Sequence, residues 1–260
     1  MASIVSRTLS VHKEHEVLLK FETAGLNDDL AQKIIESKDN ELAAKVVRLI
    51  KNGGFEPTTG QKHAREIMGR DMFGIEEAIR YFGIDPSRQQ LAALSEIPLT
   101  EEVLESSKDT HLLAAVFPLS ILDIRGKVED KLFYSHDDAW YNRERFAKDR
   151  SEVSWQLIRK TPVPESTSKT WDEQQALLSK EEETPTARIM TYGIIGHYLA
   201  TGERLFEHIY VRCSDVDSVG RRVLVGGFDS FGLGVNRDWD DYRDDRRHGY
   251  IGLASARKFD

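Results

Sequence analysis

The chain has 260 residues, 40% of them hydrophobic and 31% charged, with a formal net charge of −8. That length suits one large domain or two modest ones, and the composition is that of a chain able to bury a core without staples. The acidic balance disfavours a whole-chain nucleic-acid binder. A single cysteine, Cys213, excludes an internal disulfide framework and a thiolate-only zinc site.

In chain order, the first third is predicted to be helical. Residues 14–22 carry Val17, Leu18, Leu19 and Phe21. Residues 27–37 open on an Asn-Asp-Asp capping cluster and place Leu30, Ile34 and Ile35 at helical spacing. Residues 41–51 repeat the pattern and stop at Asn52-Gly53-Gly54. Further helices are expected over 59–68, 74–82 and 87–94, and one beginning after Thr100 as N-cap. Residues 1–10 lack the apolar run of a signal peptide, and no stretch approaches ~18 apolar residues, so a cytoplasmic protein without a membrane span is expected.

The pattern then changes. Residues 110–118 form a short apolar run of buried-strand type, and strands are also predicted over 132–134 and 154–160. Residues 141–148 read as a helical turn, 161–170 as a loop and 171–179 as a short helix. Residues 185–201 are the strongest helix of the second half, with Thr184-Pro185 as its entry and Met190, Ile194, Ile195, Tyr198 and Leu199 as its buried stripe. Strands are predicted over 209–211, 223–225, 233–235 and 251–254. A boundary near residue 108 divides a helical region, 1–108, from a mixed domain, 109–260.

Chemical motifs are sparse. Residues 54–62 lack the terminal Gly-Lys-Ser/Thr of a phosphate-binding loop. Residues 74–94 are compatible with a helix-turn-helix whose second helix bears Arg88, Gln89 and Gln90, which makes a DNA-binding regulator one alternative function. The eight histidines are scattered and read as surface polar residues rather than metal ligands. No nucleophile elbow or His-Glu-x-x-His pattern occurs, and Cys213 reads as a buried inert thiol. No catalytic residue, cofactor or metal is predicted.

Residues 236–250 stand apart. They hold five Asp without a Glu and four Arg without a Lys or Gln, although the chain uses Glu, Lys and Gln freely elsewhere. Asn, Asp, Tyr, His, Gly and Arg are all reachable from an Asn codon by changing its adenines, whereas Glu, Lys and Gln are not. Trp239 alone falls outside that set. Adenine-directed mutagenesis of an Asn-rich template would leave this composition behind.

At these residues the chain resembles the variable proteins of diversity-generating retroelements. The matching framework is Val225-Gly226-Gly227-Phe228-Asp229, then Gly232-Leu233 and Val235, then Trp239-Asp240-Asp241, with a closing strand over 251–258. Thr184-Pro185-Thr186-Ala187 resembles the entry to the second helix of that fold, and 171–179 would be its first. The resemblance covers roughly 110–260. It implies an α+β architecture: a helical N-terminal region followed by a C-type-lectin-like domain with a small twisted antiparallel sheet, two helices and a variable segment over 227–250. Trp239-Asp240-Asp241 is similar to the Trp-Asn-Asp of calcium-dependent lectins, but the upstream Glu-Pro-Asn or Gln-Pro-Asp is absent and calcium is not predicted. Formylglycine-generating enzymes share the fold but need paired cysteines, which disfavours that second alternative.

The implied function is non-enzymatic, receptor-like binding of a protein or other macromolecule through a diversified surface, with oligomers open. The expected ligand-facing residues are Phe231, Asn236, Arg237, Asp238, Asp240, Asp241, Tyr242, Arg243, Asp244, Asp245, Arg246, Arg247, His248 and Tyr250. Tyr offers large contact area at low entropic cost, Asn and Gly adaptable hydrogen bonding, and Arg bidentate and cation–π contacts. Trp239 is expected as a buried anchor beneath them.

Overall fold

The computed structural model describes residues 9–134, 139–237 and 247–259. The chain divides into two compact units, Met1–Gly54 and Phe55–Asp260. In the first, helices α1 (Val11–Thr23), α2 (Asp28–Ile35) and α3 (Glu41–Lys51) follow the sequence expectation. Ser10 and Asn27 cap the first two by accepting from the amides of Lys13 and Leu30. No residue of these three helices is buried.

The second unit begins with α4 (Thr59–Met68), β1 (Met72–Phe73), α5 (Ile75–Phe82), α6 (Arg88–Ala93) and α7 (Glu101–Ser107). The expected boundary near residue 108 does not coincide with the observed one, which falls after Gly54. The reason is packing: Phe73, Phe82, Leu94 and Leu104 share one core with Leu112, Leu113 and Tyr192 from later in the chain. Phe82 and Tyr192 bring their ring centroids to 4.8 Å, and Phe73 meets Tyr192 edge-on at 5.8 Å. Within 54–62, Gln61 closes a capping box with Thr58 and donates to the Leu94 carbonyl at 2.7 Å. That segment is a helix entry.

The chain continues through β2 (His111–Val116), α8 (Ile121–Lys127), β3 (Ser154–Arg159), α9 (Trp171–Gln175), β4 (Glu182–Glu183) and α10 (Ala187–Thr201). It ends with β5 (Tyr210–Val216), β6 (Arg222–Asp229), β7 (Gly232–Arg237), β8 (Ile251–Leu253) and β9 (Ala256–Arg257). The architecture is mixed α/β. Where one small antiparallel sheet was expected, the described strands form two mixed sheets, ordered β1-β2-β3-β9-β4 and β7-β6-β5-β8. Each contains one parallel pair, β1 with β2 and β5 with β8. The expected strand over 132–134 is a 3-10 turn, Asp130–Leu132, followed by a single bridge from Phe133 to Leu233. The expected turn over 141–148 is a 3-10 turn over Trp140–Arg143.

Helix α10 packs against strands of both sheets. Its entry differs from the expectation: Thr186, not Thr184, caps it by accepting from the Ile189 amide, and Pro185 stays outside. Asp215 adds a second acceptor, taking the Ala187 amide at 2.6 Å. Instead of one buried stripe, its first turns are buried all round, from Ala187 to Arg188 and from Met190 to His197. Two glycines make this possible. A Cβ on Gly193 would stand 2.8 Å from Ile158 Cδ1, and one on Gly196 3.0 Å from the Phe73 ring.

The expected closing strand is bent into two. Residues 251–253 extend the four-stranded sheet beside β5, and Ala256–Arg257 lie between β3 and β4 in the other. Between them Ala254 donates to the Arg212 carbonyl at 3.1 Å, and Ser255 accepts from the Arg159 amide at 2.9 Å. No described helix is long and apolar enough to cross a membrane.

Candidate functional site

The hairpin of β6 and β7 builds one side of the site. Ser230 and Phe231 form its two-residue turn, in which the Asp229 carboxylate accepts the Phe231 amide at 2.8 Å. This leaves the Phe231 ring exposed at the tip. The cross-strand register Tyr210–Gly226–Gly234 places three residues on one face of the sheet, with Arg212, Leu224 and Asn236 one pleat further along it.

Glycines make room there for a tyrosine. A Cβ on Gly227 would lie 2.6 Å from the Tyr210 hydroxyl, and one on Gly234 2.5 Å from it. The half-buried phenol therefore lies flat on a floor of strand backbone. Burial raises its pKa, while a hydrogen bond with Asn236 opposes that shift. Asp229 and Tyr134 are charged or ionisable neighbours of the same hydroxyl. Tyr134 is exposed and is tied to β7 through its amide, which donates to the Leu233 carbonyl at 3.1 Å.

Beside this floor Arg212 is fully buried, donating to the Lys169 carbonyl at 3.1 Å and to Gln174 Oε1 at 3.0 Å. Gln174 also donates to the carbonyls of Ser166 and Ile251, so α9 is locked to β5 and β8. The Arg222 guanidinium stacks over Trp171, 3.8 Å from the ring centroid.

Of the expected ligand-facing residues, Phe231 lies at the tip of the hairpin, while Asn236 and Arg237 lie at the opposite end of β7, across from Leu224 and Val223. Arg237 is held by its neighbours: its guanidinium sits 5.0 Å from the Trp140 centroid and 3.9 Å from the Asp217 carboxylate. Trp140 in turn donates to the Val235 carbonyl at 2.9 Å. Asp217 accepts from the amides of Val219 and Arg221 and from the Arg221 side chain. Burial works against its charge, but these donors hold its carboxyl below the ordinary value. Arg247 pairs with Glu173 at 2.6 Å and donates to the Ser168 carbonyl. His248 accepts the Ser168 amide at 2.9 Å through its carbonyl and packs its ring against the exposed Tyr250. Asp238, Asp240, Asp241, Tyr242, Arg243, Asp244, Asp245 and Arg246, with the expected anchor Trp239, lie outside the described residues.

The structure thus brings both ends of the 236–250 segment onto the four-stranded sheet, at its outer strands β7 and β8. Tyr210, Tyr134 and Trp140 were not singled out from sequence, and Asp229 was named only as part of the framework. The available signal was the strand glycines Gly227 and Gly234, which mark a close approach by a bulky group.

The other candidates take simpler places. In 74–94, α6 spans six residues, and Gln90 is used in a capping box with Ser87. Cys213 is buried, and that burial pushes its thiol pKa up. His197, expected at the surface, is fully buried on α10. Its Nδ1 lies 3.8 Å from Asp71 Oδ1 and its Nε2 3.5 Å from Glu203 Oε2, while Lys160 pairs with Asp71 at 2.6 Å. Burial lowers the His197 pKa in spite of the two carboxylates. Among the described residues no group of three or more His, Cys, Asp and Glu is placed to hold a metal ion.

No protein-family model matches the chain, and comparison with curated proteins and with solved structures returns no match.

Proposed function

We propose that this chain is a non-enzymatic binding protein on a C-type-lectin-like frame. Its ligand-facing residues are Phe231, Asn236 and the following segment to Tyr250, diversified by retroelement mutagenesis. The observation that carries the reading is the way this segment is framed. Its composition lacks Glu, Lys and Gln, and it begins on β7 and leads directly into β8, both fixed by ladder bonds. Within it, Arg237 is engaged by Trp140 and Asp217 and Arg247 by Glu173, so these two arginines face the frame as well as the segment's ends. A frame of this kind keeps its register when residues between its flanks are replaced, because none of the flanking ladder bonds depends on their side chains. Tyr250, at the end of the segment, and Phe231, at the hairpin tip, are exposed aromatic rings of the kind binding surfaces use.

The coding DNA tests the reading. The expected result is a near-repeat of the 3′ coding region, differing at adenines, beside a reverse transcriptase gene. A locus with neither would remove the retroelement origin. The ligand is then a protein or other macromolecule recognised by charge and aromatic contacts.

A further inference from the structure

The unit Met1–Gly54 has an unusual distribution of apolar side chains. Each of its helices is well formed, yet none buries a residue. Twelve large apolar side chains are exposed between Leu9 and Ile50, among them Val11 at 71%, Ile35 at 73% and Ile50 at 64%. Summed over the three helices they expose on the order of 1,000 Å² of side chain, and a standard interface takes about 800 Å² from each partner, so a second copy would have to cover most of them.

The charges indicate what covers it. Residues 9–54 hold seven Lys and Arg against eight Asp and Glu, so the unit is nearly neutral in a chain of net charge −8. A strongly charged partner would find no complementary field. The charges are also polarised along the helices. Helix α2 starts with Asp28 and Asp29 and has Lys33 in its last turn; α3 starts with Glu41 and has Arg48 and Lys51 in its last turn. When such a helix lies antiparallel to a copy of itself, the acidic start of each faces the basic end of the other. A two-fold axis generates that arrangement, since the same patch is then used by both subunits.

We infer that the helices of Met1–Gly54 form a homodimerisation module, in which the apolar faces of α1, α2 and α3 pack against those of a second copy of this chain. The consequence for binding is bivalence: two copies of Phe55–Asp260 are carried on one assembly.

Sedimentation equilibrium of the full chain tests this. Twice the chain mass is expected, falling to the single-chain mass at low protein concentration. The double variant Val47→Glu, Ile50→Glu is expected to be a single chain at every concentration, with an unchanged near-ultraviolet circular dichroism spectrum from the aromatic core of Phe55–Asp260. The variant Lys51→Glu, which keeps the apolar face but removes charge complementarity, should weaken the dimer several-fold. A wild-type chain that stays single at all concentrations overturns the inference. So does a dimer that survives the double variant, or single-chain protein whose α1–α3 amides are protected from hydrogen exchange, which would place the cover within the same chain.

Discussion

The hydroxyl of Tyr210 lies 2.5 Å from where a Cβ on Gly234 would stand, so the ring and the glycine specify each other. Gly234→Ala cannot be accommodated while the phenol keeps its place. The expected cost is about 1–3 kcal/mol, the usual range for overpacking a filled site. Tyr210→Ala in the same chain should relieve much of it, because the clash is with the side chain being removed. Urea denaturation of the two single variants and the double variant measures the coupling; strictly additive effects would show that the ring does not rest on Gly234.

Helix α10 yields a second prediction of the same physical kind. Alanine in place of glycine ordinarily favours a helix by about 1 kcal/mol. At Gly196 the new methyl would meet the Phe73 ring at 3.0–3.1 Å, and that ring is wedged against Tyr81, Phe82 and Tyr192. Gly196→Ala is therefore expected to be net destabilising, seen as a lower thermal midpoint. A raised midpoint would mean that the aromatic cluster has slack.

Stability should also depend on pH between neutrality and pH 4. Burial lowers the pKa of His111 from 6.5 to about 4, with Arg159 nearby acting in the same direction. Burial lowers that of His197 too. In both cases the unfolded chain binds protons that the folded chain excludes, so stability is full above the unfolded value of about 6.5 and declines as pH falls below it. For His111 the decline ends near pH 4. Urea midpoints across this window should fall with acidification, and His111→Gln should flatten the slope; an unaltered slope would assign it elsewhere.

The exposed rings at the rim should separate binding from folding. Phe231→Ser and Tyr250→Ser remove side chains that are 71% and 54% exposed. Each should change stability by no more than about 0.5 kcal/mol. Once a ligand is in hand, the pair should weaken its binding at least tenfold. Titration calorimetry with the double variant decides; undiminished affinity would place the ligand away from this rim.

Much of the secondary structure was legible because local chemistry determines it. Asn27 and Thr100 cap the helices that follow them, as their side chains imply, and the apolar run after Thr110 is β2. Tertiary partnership was not legible. Met72–Phe73 and Glu182–Glu183 are strands only because neighbouring strands bind them. The boundary near residue 108 looked natural because helices precede it and strands follow. Burial ignores that distinction, and Phe82 and Leu94 join the same core as Tyr192. At the candidate site, composition singled out 236–250, but the role of Tyr210 needed a cross-strand register that places Gly226 and Gly234 beside it.

The split of residues 251–257 between two sheets has a consequence for synthesis. A nascent chain that has reached residue 250 can form the β5–β6–β7 meander and pair β2 with β3. One edge of β5 then has no strand beside it, and β4 has no route to β3. Open edges of this kind invite pairing with other chains. A few late residues close both sheets, so the unit Phe55–Asp260 is expected to complete its fold only after they leave the ribosome, and to do so in one step.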